Sequence, residues 1–133
     1  MPYSLGNRSI ARLATVHPDL RRVFTRAILM TDLDFTILEG RRTAQRQRQL
    51  FDAGATRTMK SRHLPHHSDG LSRAVDVAPY VGGQVRWDWP LYHDLADVIK
   101  EAAEVEGVPI EWGGDWRTFK DGPHWQLPWA EYP

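Results

Sequence analysis

Apolar residues in this chain recur at helical spacing in two long stretches and alternate at strand spacing only in short runs, which is the strongest constraint on its fold. After His17-Pro18, the residues Leu20, Val23, Phe24, Ala27 and Ile28 fall at i, i+3, i+4, i+7 and i+8, and Pro18 suits a first helical turn. Residues 91–106 predict the longest helix, with Leu91, Leu95, Val98, Ile99 and Ala102 as its stripe and Gly107 at its end. A shorter helical piece is expected over residues 9–15. Thr43 is placed to cap another that runs to Ala53 and turns Leu50 and Phe51 inward.

The strand candidates are brief. Residues 34–39 are rich in β-formers and stop at Gly40. Residues 71–77 alternate, with Arg73, Val75 and Val77 on one face and Ala74 with Asp76 on the other. Gly82-Gly83 marks a turn into a short return strand over 84–87, and 108–112 and 123–127 are the last two candidates. Residues 55–70 lack periodicity and read as a long loop, a kind of segment that in a compact domain usually carries function. The order helix, strand, helix, strands, helix, strands predicts an α+β fold with packed helices and a small, largely antiparallel sheet. The length of 133 residues and the lack of repeats or a linker predict one domain over 1–133.

Composition narrows the chemistry. There is no Cys, so a disulfide framework, a thiolate metal site and a thiol nucleophile are all excluded, and any metal must be held by His and carboxylates. No apolar run is long enough to span a bilayer, and the N-terminus lacks the basic-then-apolar layout of a secretory signal. The expectation is a protein made in the cytoplasm. The net charge of zero conceals a polarity: residues 1–73 carry 13 Lys/Arg against 6 Asp/Glu, and residues 74–133 carry 4 against 11. That split fits either a nucleic-acid arm with an acidic tail or two halves of one fold that face each other.

Six His are present, and four lie in two polar contexts: Ser61-Arg-His63-Leu-Pro-His66-His67 through Ala74-Val-Asp76, and Asp121-Gly-Pro-His124. Two His and one carboxylate are a standard ligand set for a catalytic zinc with one open position. Asp76 shares its strand face with the small Ala74, which leaves room for an ion. His124 and Gln126 share one face of the last strand, and Asp121 lies three residues before His124. A carboxylate that is not itself a ligand can take the proton of a metal-bound water. The plainer readings are that His66 and His67 are solvated, that Asp76 and Asp121 pair with some of the chain's many Arg, that His17 shapes a helix start and that His93 lies on a helix surface. Trp112, Trp116, Phe119, Trp125 and Trp129 serve either as packing or as a platform for substrate.

Taken together, Ser4-Leu-Gly-Asn-Arg-Ser9, Leu13-Ala-Thr-Val-His-Pro-Asp-Leu20, Asp34-Phe-Thr-Ile-Leu-Glu-Gly40 with Arg42-Thr43, Ser61-Arg-His63, Ala74-Val-Asp76-Val-Ala-Pro-Tyr80, Trp112-Gly-Gly-Asp-Trp116 and Asp121-Gly-Pro-His124-Trp-Gln-Leu127 resemble the LAS/M15 zinc peptidases. The likeness is to the phage endolysin-type L-alanyl-D-glutamate endopeptidases, and it covers nearly the whole chain. It implies a Hedgehog/DD-peptidase-like fold, Zn²⁺ bound by His63, Asp76 and His124, Asp121 as general base, and Arg42 holding or polarising substrate. Gln49, Ser61 and Tyr80 are implied as substrate-binding positions. One departure stands out: the family's first His precedes its Asp by seven positions, whereas His63 precedes Asp76 by thirteen, so the identity of the first ligand lies between His63, favoured by its Ser-x-His context, and His66 or His67.

The implied activity is hydrolysis of an amide in the peptidoglycan stem peptide, L-Ala-D-Glu foremost, in host-cell lysis. A D,D-carboxypeptidase or dipeptidase of the same family and an inactive zinc-containing wall-binding module are the alternatives. The resemblance further implies a monomer that acts at the cell wall after holin-dependent release. It leaves no role for nucleic acid.

Overall fold

A computed structural model describes residues 3–133. The elements in chain order are α1 (Asn7–Leu13), α2 (Pro18–Met30), β1 (Phe35–Glu39), α3 (Ala44–Asp52), β2 (Ala74–Val81), β3 (Gln84–Val85), α4 (Trp89–Glu106), β4 (Glu111–Trp112), a 3-10 turn (Gly113–Asp115) and β5 (His124–Gln126). The expected α+β fold with an antiparallel sheet is what forms. The strands run β1-β2-β5-β4, with β3 paired to β2 at one end, and all pairings are antiparallel.

Local chemistry sets the element ends. His17 caps α2 by accepting the Asp19 N–H on Nδ1 at 3.0 Å, and Pro18 occupies the first helical position, where no N–H is needed. Thr43 caps α3 by accepting the Arg46 N–H at 3.0 Å. Gly82 and Gly83 turn β2 into β3 with φ of 60° and 79°, a pair of left-handed positions that a tight hairpin turn requires.

The core lies between the sheet and the helix pair α2/α4. Leu20, Val23, Phe24 and Ala27 from α2 and Leu95, Ile99 and Ala102 from α4 bury against Ile37, Val75, Val77 and Trp125. On α4 the inward stripe is rotated from the one expected: Tyr92 and Ala96 are buried, whereas Leu91 is half-buried. Trp125 stacks on Trp112 with centroids 5.6 Å apart, and Phe24 meets the Trp125 edge at 6.4 Å. These two Trp are therefore packing, worth about 2 kcal/mol each in burial. The single face of the sheet that carries Asp76 is left uncovered by α2 and α4, so it is available for chemistry.

Candidate active site

Strand register builds the centre of the site. His124 on β5 is the Cα partner of Asp76 on β2, and Glu39 on β1 is its partner on the other side. Directly opposite residues point to the same face. A register irregularity between Ile37 and Glu39 places Glu39 in that row, since uninterrupted pairing from Ile37 and Val77 would put Leu38 beside Asp76. The outcome is a line Glu39, Asp76, His124 across three strands, on the face opposite Val75 and Val77.

His63 comes from the loop before β2 and is 1% exposed. Its main chain is clamped: the His63 N–H donates to Ser61 Oγ at 3.1 Å and its carbonyl accepts the Arg42 N–H at 2.8 Å. Its ring is clamped as well. Nδ1 lies 2.7 Å from the Gly40 carbonyl oxygen, which can only accept, so Nδ1 carries a hydrogen and Nε2 is the nitrogen that faces Asp76 Oδ1, 3.1 Å away.

His124 is arranged in the mirror sense. Its Nε2 lies 2.8 Å from Gln126 Oε1, and the Gln126 amide nitrogen is directed at the Glu111 carboxylate at 3.4 Å, which orients the amide with its oxygen toward His124. Nε2 is thus a donor to Gln126, and Nδ1 is the nitrogen that faces the same Asp76 Oδ1 at 3.2 Å. Two imidazole nitrogens and a carboxylate oxygen converge, all within 4.8 Å of one another. That N, N, O donor set fits a divalent metal, and the outer hydrogen bonds are of the kind that orient ligating imidazoles. Burial pushes the Asp76 carboxyl up, but the His63 and His124 rings outweigh it and hold the group well below the usual carboxylate range. For His124, burial lowers the pKa and the Asp76 carboxylate more than reverses it, so the net direction is upward.

Arg42, 9% exposed, stands beside this centre. Nε and Nη2 donate to Glu39 Oε1, Nη1 donates to Gln47 Oε1 at 2.7 Å, and Nη2 is 3.8 Å from Asp76 Oδ2. Asp121 follows the 3-10 turn: its N–H donates to the Gly113 carbonyl at 3.0 Å, and its own carbonyl accepts the His124 N–H at 3.3 Å. Burial raises the Asp121 pKa and the Asp76 charge raises it further, against the opposing pull of His124, His63 and Arg42. These groups open into one cleft of about 530 Å³, which Ser61, Trp116, Phe119 and Trp129 also line.

Of the expected positions, His63, Asp76, His124, Asp121, Arg42 and Ser61 meet in this cleft. His66 and His67 do not: His66 bonds Ser68 and the Pro133 carbonyl, and His67 stacks on it at 4.2 Å on the surface of the inserted segment. Gln49 and Tyr80 also fall outside. Gln49 is exposed, and the buried glutamine of α3 is Gln47, which two residues' rotation of about 200° turns to the opposite side of the helix. Gln47 bonds Arg42 with its oxygen and the Thr58 carbonyl with its amide at 2.6 Å, so α3 turns inward through Gln47 while Phe51 is exposed. Tyr80 shares the alternation of Asp76 but lies four residues, about 13 Å, along the strand, where β2 pairs with β3. Glu39, Gln47, Glu111 and Gln126 are the site residues that sequence reading did not single out for a role; the spacing of Gln47 to Leu50 at i, i+3 is the signal that marks the first of its helix's inward positions.

The chain is similar to several known proteins. The family model for the phage L-alanyl-D-glutamate peptidase matches residues 1–126. The L-alanyl-D-glutamate peptidase of Escherichia phage T5 is 32% identical over 122 residues, spanning 91% of this chain and 87% of that protein. The peptidoglycan L-alanyl-D-glutamate endopeptidase CwlK of Bacillus subtilis is 30% identical over 104 residues, 71% of this chain and 61% of that one. The crystal structure of the Serratia marcescens L-Ala D-Glu endopeptidase ChiX superposes with a TM-score of 0.87 at 40% identity, covering 98% of this chain and 94% of that one. With its fold, its His-Asp-His centre and these likenesses, the chain belongs to the phage L-alanyl-D-glutamate peptidase family.

Proposed function

We propose that this chain hydrolyses the L-Ala-D-Glu amide of the peptidoglycan stem peptide, with a zinc ion held by His63 Nε2, Asp76 and His124 Nδ1. The observation that carries the proposal is the tying of each ring's other nitrogen to an acceptor, Gly40 for His63 and Gln126 for His124, which leaves one nitrogen of each ring converging on the Asp76 carboxylate, free to take a metal ion in place of a proton. Donor atoms on a tetrahedral zinc stand about 3.3 Å apart, given Zn–N and Zn–O distances near 2.0–2.1 Å, and the separations of 3.1 and 3.2 Å support that ion.

Bound zinc supplies Lewis acidity and a water whose pKa falls toward about 7. Asp121, in the cleft and not among the three ligands, takes the proton of the attacking water as the new C–O bond forms. It then returns the proton to the amide nitrogen as the C–N bond breaks. Arg42, locked by Glu39 and Gln47, adds fixed positive charge where the carbonyl oxygen becomes anionic. Its two clamps mean that little reorganisation accompanies the charge development. Among the described residues no helix is long and apolar enough to cross a membrane. The same reading has the enzyme meet its substrate in the wall, reached through a holin-type pore.

The test is metal analysis combined with mass spectrometry of digested peptidoglycan. The expected result is one zinc per chain and new L-Ala C-termini with D-Glu N-termini, both lost in His124→Ala; Asp121→Ala retains the zinc and loses turnover by about a hundredfold or more. Fragments trimmed only at the end of the stem favour a carboxypeptidase, and zinc binding without any cleavage favours a wall-binding module.

A further inference from the structure

Several cations of this protein already hold an anion. Arg42, Arg48, Arg73, Arg86 and Lys100 each pair with a carboxylate. Arg46, Arg57 and Lys60 have neither an ion pair nor a side-chain hydrogen bond among the described residues, and all three line the same cleft as the His-Asp-His centre. Arg46 comes from α3, and Arg57 with Lys60 from the loop that follows. The acidic side chains Glu111 and Asp121 and the ring of Trp116 come from the segments around β4 and the 3-10 turn.

This basic cluster is built rather than merely charged. The loop is pinned to α3 where Gln47 donates to the Thr58 carbonyl at 2.6 Å, and Thr58 Oγ1 accepts the Lys60 N–H at 2.9 Å, which fixes the backbone on either side of Thr58. Arg57 is held by a second contact across the cleft: its guanidinium carbon lies 4.5 Å from the centroid of the Phe119 ring. Phe119 adopts φ of 52°, a left-handed conformation that bulky residues avoid, and among the described residues it is the only one besides glycine that does so. A guanidinium stacked on a ring face keeps its in-plane N–H groups free for bidentate contact with a carboxylate.

The chemistry of the substrate supplies the partner, on the reading given under Proposed function. The nitrogen of the scissile amide is the amine of a glutamate, and a glutamate has two carboxyl groups. The chain continues through at most one of them, so at least one anionic carboxylate stands a few bonds from the leaving nitrogen. That nitrogen takes its proton from Asp121, and Phe119, the residue that holds Arg57, is two positions from Asp121 in the same loop. The Arg57–Phe119 contact therefore brings a free guanidinium to the loop that carries Asp121.

We propose that Arg57, stacked on Phe119 and flanked by Arg46 and Lys60, is the specificity-determining contact for the free carboxylate of the glutamate on the leaving-amine side of the cleaved bond.

The experiment uses the zinc-loaded full chain and a set of N-acetyl-L-alanyl-D-glutamate peptides with the α-carboxyl, the γ-carboxyl or both amidated. The expected result is that wild type loses about tenfold in kcat/KM, mostly through KM, when one particular carboxyl is amidated. Arg57→Gln lowers kcat/KM for the free-carboxyl peptide by a similar factor and leaves the amidated peptide unchanged, Arg57→Lys recovers part of the loss, and Phe119→Ala raises KM for the free form alone. Wild-type rates that differ less than twofold across the set, or an Arg57→Gln loss that is equal for free and amidated peptides, overturn the proposal while leaving the peptidase reading intact. If wild type cleaves none of these peptides and no peptidoglycan, the peptidase reading fails and this proposal fails with it.

Discussion

His63 and Gly40 are joined by a 2.7 Å bond from the ring Nδ1–H to the Gly40 carbonyl, across 23 residues of sequence. That bond decides which nitrogen of His63 faces Asp76. Gly40 is held where it is by contact: a Cβ placed on it would overlap the Arg12 carbonyl oxygen and lie 2.6 Å from Thr15 Oγ1. The residue is therefore needed for close backbone approach at the end of β1.

Gly40→Ala is expected to destabilise the protein by about 1–3 kcal/mol through that overlap. It should also weaken metal binding, because the displaced carbonyl no longer orients His63. Urea unfolding together with zinc titration checks both; a variant with normal stability and full zinc affinity contradicts the account.

Gln126 plays the corresponding part for His124. Gln126→Leu keeps the approximate size and removes the acceptor of the Nε2–H, and metal affinity should fall about 10–100-fold. Gln126→Glu retains an acceptor but sets a second carboxylate against Glu111, so its affinity should fall between those of wild type and Gln126→Leu. Competition with a calibrated chelator measures the difference.

Gln47 and Gln49 separate the buried face of α3 from its exposed one. Gln47→Ala leaves an Arg42 N–H and the Thr58 carbonyl without their partners, a cost of about 1.5–3 kcal/mol where a charged group is involved. Activity should drop with it, and protease sensitivity of residues 53–61 should rise. Gln49→Ala should match wild type in both, and a catalytic defect there would reinstate Gln49 as a substrate contact.

The His17 cap makes stability depend on pH. Its Nδ1 accepts the Asp19 N–H, so the cap needs an unprotonated nitrogen, and burial, followed by the nearby Arg73 charge, lowers the His17 pKa from its ordinary 6.5. A depressed folded pKa means that the unfolded chain binds the proton first as pH falls. The contribution is complete above 6.5 and is lost as pH drops through the lower folded value. His17→Ala should cost about 1 kcal/mol at pH 7.5, whereas His17→Asn keeps an acceptor that does not titrate. Unfolding at pH 7.5 and 5.5 should show wild type losing stability relative to His17→Asn at the lower pH.

Much of this molecule is legible in its order of residues, because the signals are local. The α2 stripe, its Pro18 start and the Thr43 cap of α3 follow from spacing and side-chain chemistry within a few residues. The two-sided character of β2, with Val75 and Val77 in the core and Asp76 away from it, is a property of strand alternation alone. The absence of Cys already limited a metal to His and carboxylate ligands. The opposite charges of the two halves likewise belong to the sequence.

Which of these groups meet was decided by tertiary contacts. The cross-strand register sets His124 against Asp76, and the irregularity before Glu39 brings that carboxylate, and through it Arg42, to the same row. The Gly40 carbonyl and the Arg42 N–H hold His63 beside Asp76, whereas the inserted segment carries His66 and His67 away from the cleft. Helix rotation exchanges Gln49 for Gln47, and distance along the strand removes Tyr80 from the cleft. The charge polarity acquires its meaning only here: the basic half supplies Arg42, Arg46, Arg57, Lys60 and His63, the acidic half supplies Asp76, Glu111 and Asp121, and the cleft is where they meet. Register, rotation and approach across 13 to 48 positions depend on how the core packs as a whole, and no window of sequence contains that information.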